Sequence, residues 1–128
     1  MRVLLDTHTF LWFVLSDPQL SAVAQSLIND PANDVLVSPA SYWEIAIKVG
    51  LRKLDLHASY DDFMYRGING NDFEILPIEP RHTSLLTTLP LHHRDPFDRL
   101  LIAQAMSETI PVVGMDAAFD AYGVRRLW

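Results

Sequence analysis

The chain has 128 residues, which suits a single domain over 1–128, and 49% of them are apolar, enough for a core without covalent staples. It contains no cysteine, which excludes disulfides and thiolate metal sites and fits a reducing, cytoplasmic setting. A net charge of −6 excludes nucleic-acid binding through bulk positive charge, so any such binding must use a local basic patch or bound cations.

Arg2 to Leu5 is predicted to be a short buried strand ending at Asp6. An acid this close to the start is unlike a signal peptide, and no apolar run approaches the roughly 18 residues a membrane span needs. His8 to Leu15 is predicted as an apolar helix stopped by Ser16-Asp17-Pro18, and Leu20 to Asp30 as a second helix. Val35-Leu36-Val37 is a second buried strand. Ser38-Pro39 opens a helix that runs to Val49 and stops at Gly50, with proline suited to the first helical position and glycine to the end. Tyr60 to Ile68 is helical up to Asn69-Gly70, Phe73 to Leu76 is a third strand, and Arg81 to Leu86 is a short helix. Pro96 to Glu108 is a helix with a clear start, Val112-Val113 a fourth strand, Ala117 to Ala121 a helical turn and Val124 to Leu127 a terminal strand. Short apolar strands separated by helices predict an α/β fold with a mainly parallel sheet, in which ligands sit at the carboxyl ends of the strands.

Four acids fall at that edge. Asp6 ends the first strand, Glu44 lies early in the helix after the second, Asp98 is in the first turn of the helix before the fourth, and Asp116 follows the fourth. Carboxylates sharing a cleft repel one another, more so when buried, and a divalent cation relieves the conflict. Oxygen ligands without cysteine favour Mg²⁺ or Mn²⁺, and such ions activate water for phosphodiester hydrolysis. Each acid also has a purely structural role open to it. Asp6 can cap the helix near Thr7. Ser41-Tyr42-Trp43-Glu44 fits a capping box, and Glu44 can pair with Lys48 one turn on, although Trp43, Ile45, Ala46 and Ile47 around it suggest partial burial. Asp95 is a natural cap before Pro96, with Asp98 near the helix dipole, and Asp116 and Asp120 suit turns.

Four blocks carry a family resemblance over essentially the whole length: Leu4-Leu5-Asp6-Thr7-His8, Trp43-Glu44-Ile45-Ala46-Ile47-Lys48, His93-Arg94-Asp95-Pro96-Phe97-Asp98-Arg99-Leu100-Leu101-Ile102-Ala103-Gln104-Ala105, and Val112-Val113-Gly114-Met115-Asp116. In this order and spacing the chain resembles a PIN-domain nuclease of the VapC toxin type, from bacterial toxin–antitoxin pairs. The resemblance implies a PIN-like three-layer fold and a Mg²⁺- or Mn²⁺-dependent endoribonuclease. Asp6, Glu44 and Asp98 match the three main acids, Asp116 a fourth ligand or supporting acid, and Thr7 a hydroxyl residue that supports the first acid. It further implies an RNA substrate, a homodimer, and inhibition by an antitoxin whose partner domain binds operator DNA. One departure is Gly114, where the family often has Thr or Ser whose hydroxyl orients a ligand or water.

The basic stretch Lys48, Arg52 and Lys53 is expected to be a solvated helix end rather than a set of phosphate contacts. His92, His93 and Arg94 suit either an exposed polar loop or RNA backbone contacts. Nothing at ligand spacing completes a tetrahedral zinc set around the two histidines. Phe10, Leu11, Trp12, Phe13 and Val14 are apolar nearly all round their helix, which suits one face on the sheet and the rest against an antitoxin or second subunit, with Trp128 in either role. Phe63, Met64 and Tyr65 suit core or partner contacts. A phosphotransferase with Asp6 as nucleophile would need an acid where His8 stands, and an aspartate-phosphorylated receiver domain would need an acidic pair where Thr7 follows Asp6. A catalytically inactive PIN-like binding module is opposed by the intact Asp6, Glu44 and Asp98.

Overall fold

The computed structural model describes all residues, 1–128. Five strands, β1 (Arg2–Leu5), β2 (Asp34–Val37), β3 (Glu74–Ile75), β4 (Val112–Val113) and β5 (Arg126–Leu127), form one sheet in the order β3-β2-β1-β4-β5. Every pairing is parallel, with Leu4 opposite both Leu36 and Val112. The helices are α1 (Thr7–Val14), α2 (Ala22–Asn29), α3 (Pro39–Gly50), α4 (Tyr60–Ile68), α5 (Pro80–Leu86) and α6 (Pro96–Glu108).

Alternation along the strands divides the interior into two cores, because successive side chains point to opposite faces of the sheet. Val3, Leu5, Val35, Val37 and Val113 pack against Phe10 and Leu11 of α1, Ala24 and Ile28 of α2, Ile45 of α3 and Phe63 of α4. Leu4, Leu36 and Val112 pack instead with Leu100, Leu101 and Ile102 of α6, Ala40 of α3, and Phe119. The expected three-layer α/β arrangement is therefore present. On the second face His82 is fully buried, with its Nδ1 accepting the Glu79 amide. Its Nε2 is thus free to donate to Glu108 Oε2 at 3.1 Å, which ties α5 to the end of α6. Glu108 also pairs with Arg81, and with Arg2 of β1 at 3.4 Å.

Local chemistry explains the helix starts. Ser38 accepts the Ala40 amide ahead of Pro39, and Asp95 accepts the Phe97 and Asp98 amides ahead of Pro96. The ends depart more from expectation. Gly50 lies inside α3, and the chain turns by placing Arg52 in the left-handed region at φ 57°. α4 runs into a 3₁₀ turn at Asn69–Asn71 and stops at Asp72, φ 55°. The helical turn after β4 is a 3₁₀ segment, Ala117–Tyr122, and the terminal strand narrows to Arg126–Leu127.

From β1 the chain winds outward through β2 and β3 to one side, then returns to lay β4 and β5 on the other. The strand order thus reverses between β1 and β4, and the crevice at their carboxyl ends is where such sheets place ligands. Asp6 follows β1 and Asp116 follows β4. No helix is long and apolar enough to cross a membrane.

Candidate active site

Asp6 serves both local structure and the crevice. It caps α1, its Oδ1 accepting the Thr9 amide at 2.8 Å. Its Oδ2 meets no protein donor and lies against Gly114, where an added Cβ would stand 2.5 Å from it. Gly114 is thus a close-approach glycine, and the bare Cα makes room for the carboxylate. Burial raises the Asp6 pKa, while hydrogen bonding from Thr9 and the nearby His8 oppose that rise.

Glu44 is buried in α3 and pairs with Lys48 Nζ at 2.8 Å, the one-turn pairing its spacing allows. The capping box at Ser41 does not form, because the cap is Ser38. Ser41 is instead buried, and its hydroxyl is 3.1 Å from that of Thr7. Thr7, matched by resemblance to a residue that supports the first acid, therefore bonds across to α3. That cross-link holds the start of α1 against α3, so Asp6 and Glu44 are kept on neighbouring elements.

Asp98 sits in the first turn of α6, with its side chain 22% exposed. Its pKa is pushed up to about 7, mainly by burial and by the charge of Asp95, against which His93 works. Asp6 and Glu44 push it further in the same direction, so the three acids share one field. Asp116 is about half exposed and caps the 3₁₀ segment through the Ala118 amide. Arg126 steadies the approach to it: Nη1 donates to the carbonyls of Gly114 and Met115, while Nε and Nη2 hold Asp120.

His93 is the residue whose place the sequence did not define. Its Nε2 is 2.9 Å from Asp98 Oδ2 and 3.5 Å from Asp116 Oδ2. The three side chains offer donor atoms that all lie within 4.8 Å of one another. By contrast, His92 is exposed with its ring edge-on to Tyr122, and Arg94, Arg52 and Lys53 are exposed. The two histidines form no pair, but one of them joins the acids.

The residue types fit a divalent cation. Two buried carboxylates, Asp6 and Glu44, act on a third, Asp98, whose pKa burial already raises, and oxygen donors so placed suit a divalent ion. Beside it Trp43 of α3, 58% exposed, packs edge-on against Phe97 of α6 at 5.0 Å. A separate groove of about 820 Å³ runs beside α1, α2 and α4, lined in part by Trp12, Phe13, Leu20 and Phe63, away from the acids.

Three solved structures share the fold. A chain of VapBC2 from Rickettsia felis bound to a promoter DNA fragment is 16% identical, with 98% of this chain and 97% of that one covered at TM-score 0.64. FitAcB from Neisseria gonorrhoeae is 18% identical, with 97% and 95% covered at 0.62. VapBC-1 from nontypeable Haemophilus influenzae is 14% identical, with 98% and 96% covered at 0.66. No curated protein matches the sequence. Residues 3–124 match the PIN domain model, and with the acids gathered at its β1–β4 crevice this chain belongs to the PIN domain family.

Proposed function

We propose that the chain is a Mg²⁺- or Mn²⁺-dependent endoribonuclease and the toxin of a toxin–antitoxin pair, acting in the cytoplasm. The observation that carries this reading is geometric: Asp98 and Asp116 bring donor atoms together at the crevice, within the field of Asp6 and Glu44. Asp6, Glu44 and Asp98 would hold the divalent ion, with Asp116 at the exposed rim. Bound there, the ion supplies an acidified water and positive charge for phosphodiester hydrolysis.

The chain's own residues set the geometry. The Thr9 amide fixes Asp6 by one oxygen and leaves Oδ2 for the ion. Lys48 holds the Glu44 carboxylate by an ion pair at 2.8 Å. The Asp95 cap fixes the first turn of α6 and so the position of Asp98. Arg126 holds the turn that presents Asp116. Because the net charge is −6, the phosphate backbone would be drawn to the crevice by a bound cation, not by the protein as a whole.

The partner side of the proposal rests on the neighbours. The VapBC2 structure above contains promoter DNA, and a FitAB structure of 18% identity is bound to an IR36 DNA fragment. The resemblance to VapC-type toxins adds a homodimer and inhibition by an antitoxin whose partner domain binds operator DNA.

The test is cleavage of a mixed tRNA and rRNA pool by purified protein, with Mn²⁺ or with chelator, beside Asp98→Asn. Cleavage should require the ion and fall at least about a hundredfold in Asp98→Asn, since even outer partners of a metal site cost ten- to hundredfold. Circular dichroism should show the fold unchanged. Cutting that persists in the variant sinks the assignment. A wild-type protein that binds no Mn²⁺ would favour the catalytically inactive binding module.

A further inference from the structure

His93 lies outside the four-acid set, yet it is the side chain that physically joins two of its members. Its Nε2 stands 2.9 Å from Asp98 Oδ2 and 3.5 Å from Asp116 Oδ2. The shorter separation is a hydrogen bond here, and since donors about 2.1 Å from a shared octahedral ion sit about 3 Å apart, an ion can replace the bridging proton with little movement of the ring. Asp6 lies beside them, 5% exposed and bonded through Oδ1 to the Thr9 amide, and its charge acts on Asp98.

The loop bearing His93 is built rather than loose. The Tyr122 hydroxyl accepts the His92 amide at 3.0 Å and the His93 amide at 2.8 Å, and donates to the Pro90 carbonyl at 2.8 Å. Arg99 of α6 reaches back to the carbonyls of Leu89, Pro90 and His93. The ring rests edge-on against Phe119, 6.3 Å between centroids. Backbone and ring are thus held from two elements, α6 and the 3₁₀ segment Ala117–Tyr122, and the imidazole is aimed between the two carboxylates. Its Nδ1 faces the Asp95 amide only at 3.5 Å, too long a contact to dictate the tautomer.

We infer that His93 is a further ligand of the metal centre, sharing the ion with Asp98 and Asp116 through Nε2. This makes the site a mixed nitrogen–oxygen set. Imidazole suits transition metals, whereas Mg²⁺ is served by oxygen, so the set favours Mn²⁺ over Mg²⁺. The inference rests on the reading of the crevice as a divalent-cation site and adds to it one ligand and a metal preference.

The test is electron paramagnetic resonance of Mn²⁺ bound to the purified wild-type protein, with echo modulation read for nitrogen. Protein grown on ¹⁵N-histidine supplies the same reading without any substitution. The expected result is a nitrogen coupling that changes with ¹⁵N-histidine and is absent in His93→Gln. Mn²⁺ affinity should fall about tenfold or more in His93→Gln and Mg²⁺ affinity much less. Mn²⁺ bound with loss in Asp98→Asn but without nitrogen coupling overturns the His93 ligand and leaves the cation site standing. Tighter Mn²⁺ binding in His93→Gln also overturns it, because the imidazole would then be competing with the ion for the same oxygens. No Mn²⁺ binding by the wild type overturns both readings.

Discussion

At the residue scale the crevice trades stability for binding capacity. Asp98 is raised from its ordinary 3.8 to about 7, so between those values the folded chain binds more protons than the unfolded one. Stability from this group is therefore fully present below pH 3.8 and lost as the pH rises through 7. With partial solvent screening, the ionised carboxylate costs about 1–2 kcal/mol at pH 8 in the absence of metal. Asp98→Asn in chelator should accordingly melt about 5 °C higher than wild type at pH 8 and no higher at pH 4, as followed by tryptophan fluorescence. An equal melting temperature at pH 8 would mean that burial does not penalise the ionised Asp98. Gly114 gives a second expectation. A Cβ there meets Asp6 Oδ2 at 2.5 Å and Cγ at 2.9 Å, so Gly114→Ser must push the carboxylate off its Thr9 bond. Titration calorimetry should then show Mn²⁺ affinity at least about tenfold weaker. Unchanged affinity would show that Asp6 can yield without cost.

Among the elements, the one most dependent on distant partners is the loop from Leu89 to Asp95. It has no regular structure of its own and is held by Tyr122, nearly thirty residues on, and by Arg99. Tyr122→Phe removes an acceptor for two amides and a donor to the Pro90 carbonyl, a loss of about 1–2 kcal/mol. Hydrogen exchange at the His92 and His93 amides should speed about tenfold while α3 is unaffected. Protection that survives the change would place the loop's order elsewhere. Nothing local in His92-His93-Arg94 signals this arrangement, which is why the histidines were legible only as a polar loop. The helix starts were legible for the opposite reason. Ser38-Pro39 and Asp95-Pro96 act on amides two or three residues away, within the same segment of sequence. Ser41 misled because its hydroxyl is spent on Thr7, a bond between helices that no spacing rule contains.

For the molecule as a whole, the apolar helix α1 bears on assembly. Phe10 and Leu11 are buried in the first core, whereas Phe13 and Trp12 are only half-buried. Phe13 packs on Phe73 at 5.7 Å, and Trp12 on Trp128 at 5.9 Å and His8 at 5.4 Å. Both therefore have partners within the chain, and Trp12 is the cleaner probe of an interface because its own core packing is smaller. Under the proposed homodimer, Trp12→Ala should shift the sedimenting species toward monomer at micromolar concentration with the melting temperature little changed. A dimer that persists would return Trp12 to a purely internal role.

Sequence by itself determined most elements, their order, the α/β class, and the places of Asp6 after β1 and Asp116 after β4. These follow from apolar periodicity, from capping chemistry and from residue types, all of which act over a few positions of chain. The tertiary structure alone decided how the acids are completed. It set Gly114 beneath Asp6, turned Thr7 and Ser41 toward each other, and carried His93 to Asp98 and Asp116 by way of Tyr122 and Arg99. Those relations depend on which strands become neighbours, and β1 lies beside β4 only after the chain has folded back past two others. Contacts made across that reversal join residues a hundred positions apart, beyond the reach of any local pattern.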